Sequence, residues 1–179
     1  MSAITVKLKK LSDEVITPKR ATEGSAAYDV YVPKDTIIRK GRQVIPLQFA
    51  IELPDKAYEA KIEPRSGFSS KGMEGYELIH KTEQNLNPIE GFKYVTSDTE
   101  YASLEPRSFD CDVLVGKVDS DFRDGVGVIV NNRDNSDFLI KAGTRIAQMT
   151  IYRVSETDFV EVEELSETGR KGGFGSTGA

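Results

Sequence analysis

Thiol and imidazole are nearly absent: the 179 residues hold 1 cysteine, Cys111, and 1 histidine, His80. A lone thiol closes no internal disulfide, and one Cys with one His is too small a set for a structural zinc site, so any metal is expected on oxygen ligands. Long apolar runs are missing too. No stretch approaches the ~20 apolar residues of a membrane helix, and the opening MSAITVKLKKL carries no apolar run of signal-peptide length, so no membrane partner and a cytoplasmic location are expected. Cationic excess is lacking as well: 24 Lys and Arg stand against 29 Asp and Glu, a formal net charge of -5. That balance argues against a surface for long nucleic acid while leaving room for a local cationic pocket. Nor does any long segment carry a 3.6-residue apolar period, which excludes a helical architecture.

What is present is alternation with period two. Leu47, Phe49, Ile51 and Leu53 interleave with Gln48, Ala50 and Glu52, the pattern of a half-buried strand. Similar patterns occur at Ile4, Val6, Leu8; at Tyr58, Ala60, Ile62; at Val126, Val128, Val130; and from Ile146 to Tyr152, each bounded by Gly, Pro, Asn or Asp. Many short strands separated by turns predict an all-β sandwich, jelly roll or barrel with little helix. With 38% hydrophobic residues the length suits one domain, expected over residues 1–165. Two stretches depart from the pattern. Residues 73–107 are polar, with strand-like arms Tyr76–His80 and Gly91–Val95 around Asn85-Leu86-Asn87-Pro88, and are expected to form a hairpin excursion on the surface. Residues 166–179 end in a glycine-rich run that disfavours packed strand or helix and is expected to be a mobile arm.

Three segments carry candidate chemistry. Pro64-Arg65-Ser66-Gly67, continuing to Lys71-Gly72, sets a planar guanidinium, a hydroxyl and close-approach glycines after a strand, a combination that phosphate oxygens favour; the alternative is a loop with a solvated arginine. Asp119-Ser120-Asp121-Phe122-Arg123 is a charged turn between apolar runs. Its carboxylates can orient water or meet a hard cation, or serve only to form the turn. The glycines around Phe174 let backbone wrap phosphates while the ring stacks on a flat base, against the alternative of a plain disordered terminus.

Taken together and in order, these segments resemble the five motifs of the trimeric dUTPase family over nearly the whole chain. The motifs are Ala26-Ala27-Tyr28-Asp29-Val30, Pro64-Arg65-Ser66-Gly67, Val118-Asp119-Ser120-Asp121-Phe122-Arg123, Ala142-Gly143-Thr144-Arg145-Ile146-Ala147-Gln148-Met149 and the tail Gly172 to Gly178. The resemblance implies a jelly-roll-like subunit in a homotrimer with three active sites shared between subunits, and hydrolysis of dUTP to dUMP and pyrophosphate. It implies Asp119 as general base on the water attacking the α-phosphorus. Asp29 and Gln148 would position magnesium and its water shell, with Mg²⁺ held mainly by the substrate phosphates and no direct protein ligand. Arg65, Ser66, Gly67 and Arg145 would hold the phosphates, Phe122 would lie beneath the deoxyribose, and Phe174, Gly175, Ser176 and Thr177 would close over the nucleotide, Phe174 stacking on uracil.

The match has three departures. Phe122 stands where the family usually has tyrosine. The tail runs Arg170-Lys171-Gly172-Gly173-Phe174 with one residue fewer than usual, so the cationic contact to the γ-phosphate is assigned to Arg170 and Lys171 as a pair. The second and third motifs are also much further apart than usual, which makes residues 73–107 an insertion and creates a decoy: Glu105-Pro106-Arg107-Ser108-Phe109 echoes Glu63-Pro64-Arg65-Ser66-Gly67. Only the first copy continues with Gly67, Lys71 and Gly72, and it is taken as the phosphate loop. The insertion is open to a protein-binding role. Rival readings are a dCTP deaminase of the same fold and a regulatory dUTPase-like protein that binds a protein partner.

Overall fold

The computed structural model describes residues 3–80, 90–94 and 100–169. Among these are fifteen strands and one short helix, the all-β architecture with little helix that the alternation predicts, in the jelly-roll-like form that the resemblance implies. A four-stranded sheet runs in the order β12 (Gly116–Val118), β6 (Tyr58–Glu63), β15 (Arg145–Arg153), β2 (Tyr28–Tyr31). A three-stranded sheet is formed by β11 (Cys111–Leu114), β13 (Gly127–Asn132) and β4 (Gly41–Pro46), and a two-stranded one by β1 (Lys7–Lys10) with β5 (Phe49–Glu52). Each expected alternation falls in or around a strand. Val128 and Val130 of β13 and Ala60 and Ile62 of β6 are buried, as are Leu47, Phe49, Ile51 and Leu53 in and beside β5. They join one core with Val30, Ile146, Ala147 and Met149. Burying a side chain of this size fully contributes about 1.5–3 kcal/mol, so the packed inner faces hold the sheets together. No helix among the described residues is long and apolar enough to cross a membrane.

Period two also settles what lies on the opposite face of the four-stranded sheet. If Ala60, Ile62 and Met149 point into the core, then Glu59, Lys61 and Glu63 of β6 and Gln148, Thr150 and Tyr152 of β15 point the other way. In register, Gln148 lies opposite Glu63 on one side and Asp29 on the other. Three chemically active side chains therefore sit in one row across three strands.

The fourth sheet corrects the reading of residues 73–107. Its order is β3 (Thr36–Ile38), β14 (Phe138–Ile140), β7 (Met73–His80), β9 (Glu100–Ser103), β8 (Phe92–Tyr94), with β10 (Arg107–Phe109) also on β7. The two arms expected to pair with each other do not: β9 lies between β7 and β8. Both ends of the segment are integral to the fold. Met73 is fully buried in the main core, and β7 pairs with β14 through Tyr76 and Glu77 and with β10 through Met73, Glu74 and Gly75. The part that stands apart is the β8–β9 hairpin, seated on a small second cluster of Leu78, Ala102 and Leu139. The polar composition read as an excursion includes Glu74, Glu77 and His80, exposed or half-exposed on a strand paired along its whole length, and composition alone does not reveal its pairing partners.

Arg107, the decoy arginine, fastens this junction. It reaches Glu77 and Asp134, each at 3.1 Å, and its guanidinium lies 3.8 Å above the ring of Phe109, which stacks on Phe138 at 4.1 Å. The Arg107 contact, aided by the Ser136 hydroxyl, holds the Glu77 carboxyl below its ordinary range, and Arg107 does the same for Asp134. Cys111 is buried beside this region, and burial pushes its thiol up to about 12, which removes it from thiolate chemistry.

Among the described residues regular structure ends at Arg153. Beyond it residues 155–169 lie exposed, including Phe159 at 96% and Leu165 at 88%, so the sheets finish ahead of the boundary expected at residue 165. The arm's functional residues Arg170, Lys171, Phe174, Gly175, Ser176 and Thr177 lie outside the described residues.

Candidate active site

β6 ends at Pro64, which lacks the N–H needed to continue the ladder. The chain turns there into α1 (Ser66–Lys71), with Arg65 in extended conformation at its N-cap. The N–H groups of Ser66 and Gly67 come before the helix's own bonding pattern starts, since Phe68 N and Ser69 N donate to Arg65 O. A Cβ at Gly67 would meet nothing within 4 Å, so this glycine keeps the loop's outer face open. Gly72 has a different task. It ends α1 at φ +81°, and a Cβ there would lie 2.3 Å from the carbonyl oxygen of Phe109. It is fixed by packing against β10, although the sequence pattern grouped it with the phosphate loop.

The Arg65 side chain crosses to β2, where its Nε lies 3.1 Å from Asp29 Oδ1. Arg145, at the start of β15, reaches the other oxygen of Asp29 at 3.4 Å, and Arg65 also donates to the Arg145 carbonyl at 3.2 Å. Asp29 is thus buried and bridged by two guanidiniums, which fixes both arginines and cancels the carboxylate's charge. An unpaired carboxylate at this depth would be costly, and the bridge removes that cost.

Two cavities flank the bridge. One, of about 410 Å³, is lined by Arg65, Lys141, Arg145, Thr144, Tyr76 and Glu74, three cations to one carboxylate. The other, of about 370 Å³, is lined by Asp29, Glu63, Gln148, Thr150, Tyr152 and Ser25 and holds no cation. An anionic chain fits the first, and a hydrated cation fits the oxygen-rich second. Among the described residues no group of three or more His, Cys, Asp or Glu is arranged to chelate a metal.

Of the residues singled out in the sequence, Asp29, Arg65, Arg145 and Gln148 meet here, and Ser66 and Gly67 follow Arg65 at the start of α1. Asp119 and Phe122 do not. β12 runs antiparallel to β6 with Val118 opposite Ala60, which places Asp119 across from Glu59 and six residues back from Arg65 along β6. At about 3.3 Å per residue, the stretch from Glu59 to Glu63 alone sets Asp119 roughly 13 Å back from the end of β6, ahead of the turn that carries Arg65. The turn carrying it is held by Phe122 N donating to Asp119 O at 3.1 Å and by Arg123 donating to the Ser120 carbonyl at 2.7 Å. Phe122 is 39% exposed. Glu63, Thr150, Tyr152 and Lys141 escaped the sequence reading. Two signals were available: Glu63 directly precedes Pro64, and Thr150 and Tyr152 follow Gln148 at period two.

Fold and site define a class, the all-β domains whose site suits a phosphate chain beside a hydrated divalent cation. Comparison with known proteins makes the assignment specific. A family model described as dUTPase matches residues 13–85 and 76–178. The deoxyuridine 5'-triphosphate nucleotidohydrolase of Arabidopsis thaliana is 34% identical over 174 residues, covering 96% of this chain and 82% of its own. That of Paramecium bursaria Chlorella virus 1 is 32% identical over 180 residues, with 99% of both chains covered. In structure, a point mutant of the Staphylococcus bacteriophage 80alpha dUTPase with dUpNHpp superposes with a TM-score of 0.67 at 20% identity, covering 98% of this chain and 99% of that one. A point mutant of the dUTPase from phage phi11 of S. aureus, which coordinates a structural Mg(II) ion, gives a TM-score of 0.61 at 18% identity over 89% of this chain and 97% of its own. The chain belongs to the dUTPase family.

Proposed function

We propose that this protein hydrolyses dUTP to dUMP and pyrophosphate with magnesium, in sites assembled from more than one copy of the chain. The observation that carries the reading is the Asp29 bridge, with Arg65 and Arg145 facing a cationic cavity and Gln148 and Glu63 lining an acidic one. The guanidiniums and the first N–H groups of α1 receive the phosphate oxygens. Gln148 and Asp29 would lie beside a magnesium ion held mainly by the nucleotide's phosphates, and the ion would supply neutralisation of phosphate charge. Gln148 and Asp29 set the water shell on the acidic side.

Asp119 accepts the proton of the water that attacks the α-phosphorus. The bond from that phosphorus to the α,β-bridging oxygen breaks, and pyrophosphate leaves with the electron pair. Because Asp119 lies far from its own chain's Arg65, we assign it to the site of a neighbouring copy in a homotrimer. There Phe122 lies beneath the deoxyribose. The arm closes over the nucleotide, with Phe174 on uracil, Arg170 or Lys171 on the γ-phosphate, and Gly175, Ser176 and Thr177 around the phosphates. Residues 166–179 then act as a lid, and domain 1–165 as the body.

The test is direct: the purified protein is incubated with each deoxynucleoside triphosphate and magnesium, and products are separated by chromatography. Release of dUMP and pyrophosphate from dUTP supports the proposal. Formation of dUTP from dCTP would replace it with the deaminase reading.

A further inference from the structure

We propose that Glu63 makes the site selective for the magnesium-bound nucleotide over the metal-free triphosphate, an inference that rests on the nucleotide reading above. The case begins with how the carboxylates of this sheet face are compensated. Asp29 is bridged by Arg65 and Arg145. Glu59 is held between Lys117 at 2.6 Å and Lys61 at 3.2 Å. Glu63 is treated differently: it accepts from the Thr150 hydroxyl at 2.9 Å and from the Tyr152 hydroxyl at 3.3 Å, and no lysine or arginine among the described residues forms an ion pair with it. Neutral donors fix a carboxylate in place without cancelling its charge.

That charge faces the site. Glu63 lies directly across from Gln148, shares a cavity with Asp29 and Gln148, and stands two residues before Arg65. A metal-free triphosphate seated on Arg65 therefore meets an uncompensated negative charge on its acidic flank. With a divalent cation bound, the same nucleotide carries two fewer negative charges and presents metal-held waters that donate to a carboxylate. Glu63 repels the first species and favours the second. Its residue type is essential to this role and its bulk is not, because glutamine keeps the hydroxyl contacts while losing the charge.

Isothermal titration with the non-hydrolysable analogue dUpNHpp, in magnesium and in EDTA, tests this without relying on turnover. The wild-type protein is expected to bind the magnesium form far better. In Glu63→Gln, affinity for the metal-free analogue is expected to rise about tenfold or more, the scale of one unit charge near a partly screened ligand, while affinity in magnesium falls. Glu63→Ala should shift the same ratio, and equal melting temperatures of Glu63→Gln and wild type would establish an intact fold. An unchanged ratio in Glu63→Gln overturns the proposal, as does a shift seen only in Glu63→Ala, which would make the effect one of shape. Failure of the wild-type protein to bind the analogue even in magnesium would instead overturn the nucleotide reading, and this inference with it.

Discussion

The site depends on a few side chains whose replacement has separable outcomes. Asp119→Asn retains the turn, which is held by backbone bonds, but removes the proton acceptor; turnover of dUTP is expected to fall roughly 10²-fold or more with little change in nucleotide affinity. Wild-type turnover in that variant, with Asp121→Asn inactive, would move the base to the second carboxylate. Gly72→Ala acts on the fold. Its φ of +81° and the 2.3 Å approach of the Phe109 carbonyl predict a loss of about 2–4 kcal/mol, read as a lower midpoint in thermal or urea unfolding. Gly67→Ala, with open space around it, should leave stability nearly unchanged. Two glycines in one loop thus look alike in sequence and differ in cause. Arg65 is legible as a phosphate-loop candidate only because Arg-Ser-Gly after a strand stands in order with the other motifs of the family resemblance. Glu63 is not, since its significance arises from register with Gln148 on a strand far along the chain and from hydroxyls that neutralise nothing.

Among elements, alternation located the strands because one face of each sheet is packed and the other solvated, and period two records that directly. Pairing order left no such record. β7 takes β10, β14 and β9 as partners in turn along its 8 residues, so its sequence is neither cleanly alternating nor uniformly apolar. The insertion can accordingly be trimmed only from its outer end. Replacing residues 81–99 by a two-residue Asn-Gly turn joins His80 to Glu100, which already pair, and is expected to leave a soluble, active protein. Joining Gly72 to Ser108 removes Met73 and the partner of β14 and should abolish soluble expression. If the shorter deletion alone destroyed activity while retaining its melting temperature, the hairpin would be part of the site. The Arg107 junction adds a pH dependence. Glu77 and Asp134 are both held below the ordinary carboxylate range, so the stability they contribute is fully present near neutrality and is lost as the pH falls below about 4. Melting temperature followed from neutral to acid pH should therefore fall less steeply in Glu77→Gln than in wild type, and parallel curves would assign the acid limb elsewhere.

For the whole molecule, the proposed trimer should appear in light scattering at three times the 19.8 kDa chain mass, and a monomer of full activity at high dilution would contradict the shared site. The separation of Asp119 from Arg65 on one chain also has a genetic reading. In the proposed trimer Arg65→Ala and Asp119→Asn are each expected to disable the protein, with the defects on opposite sides of every boundary between copies. Subunits of the two kinds, unfolded together in equal amounts and refolded, would place an intact arginine against an intact aspartate at about a quarter of the sites, whereas either variant alone has none. Two broken alleles would then support one another in the same cell, each repairing the half-site that the other lacks.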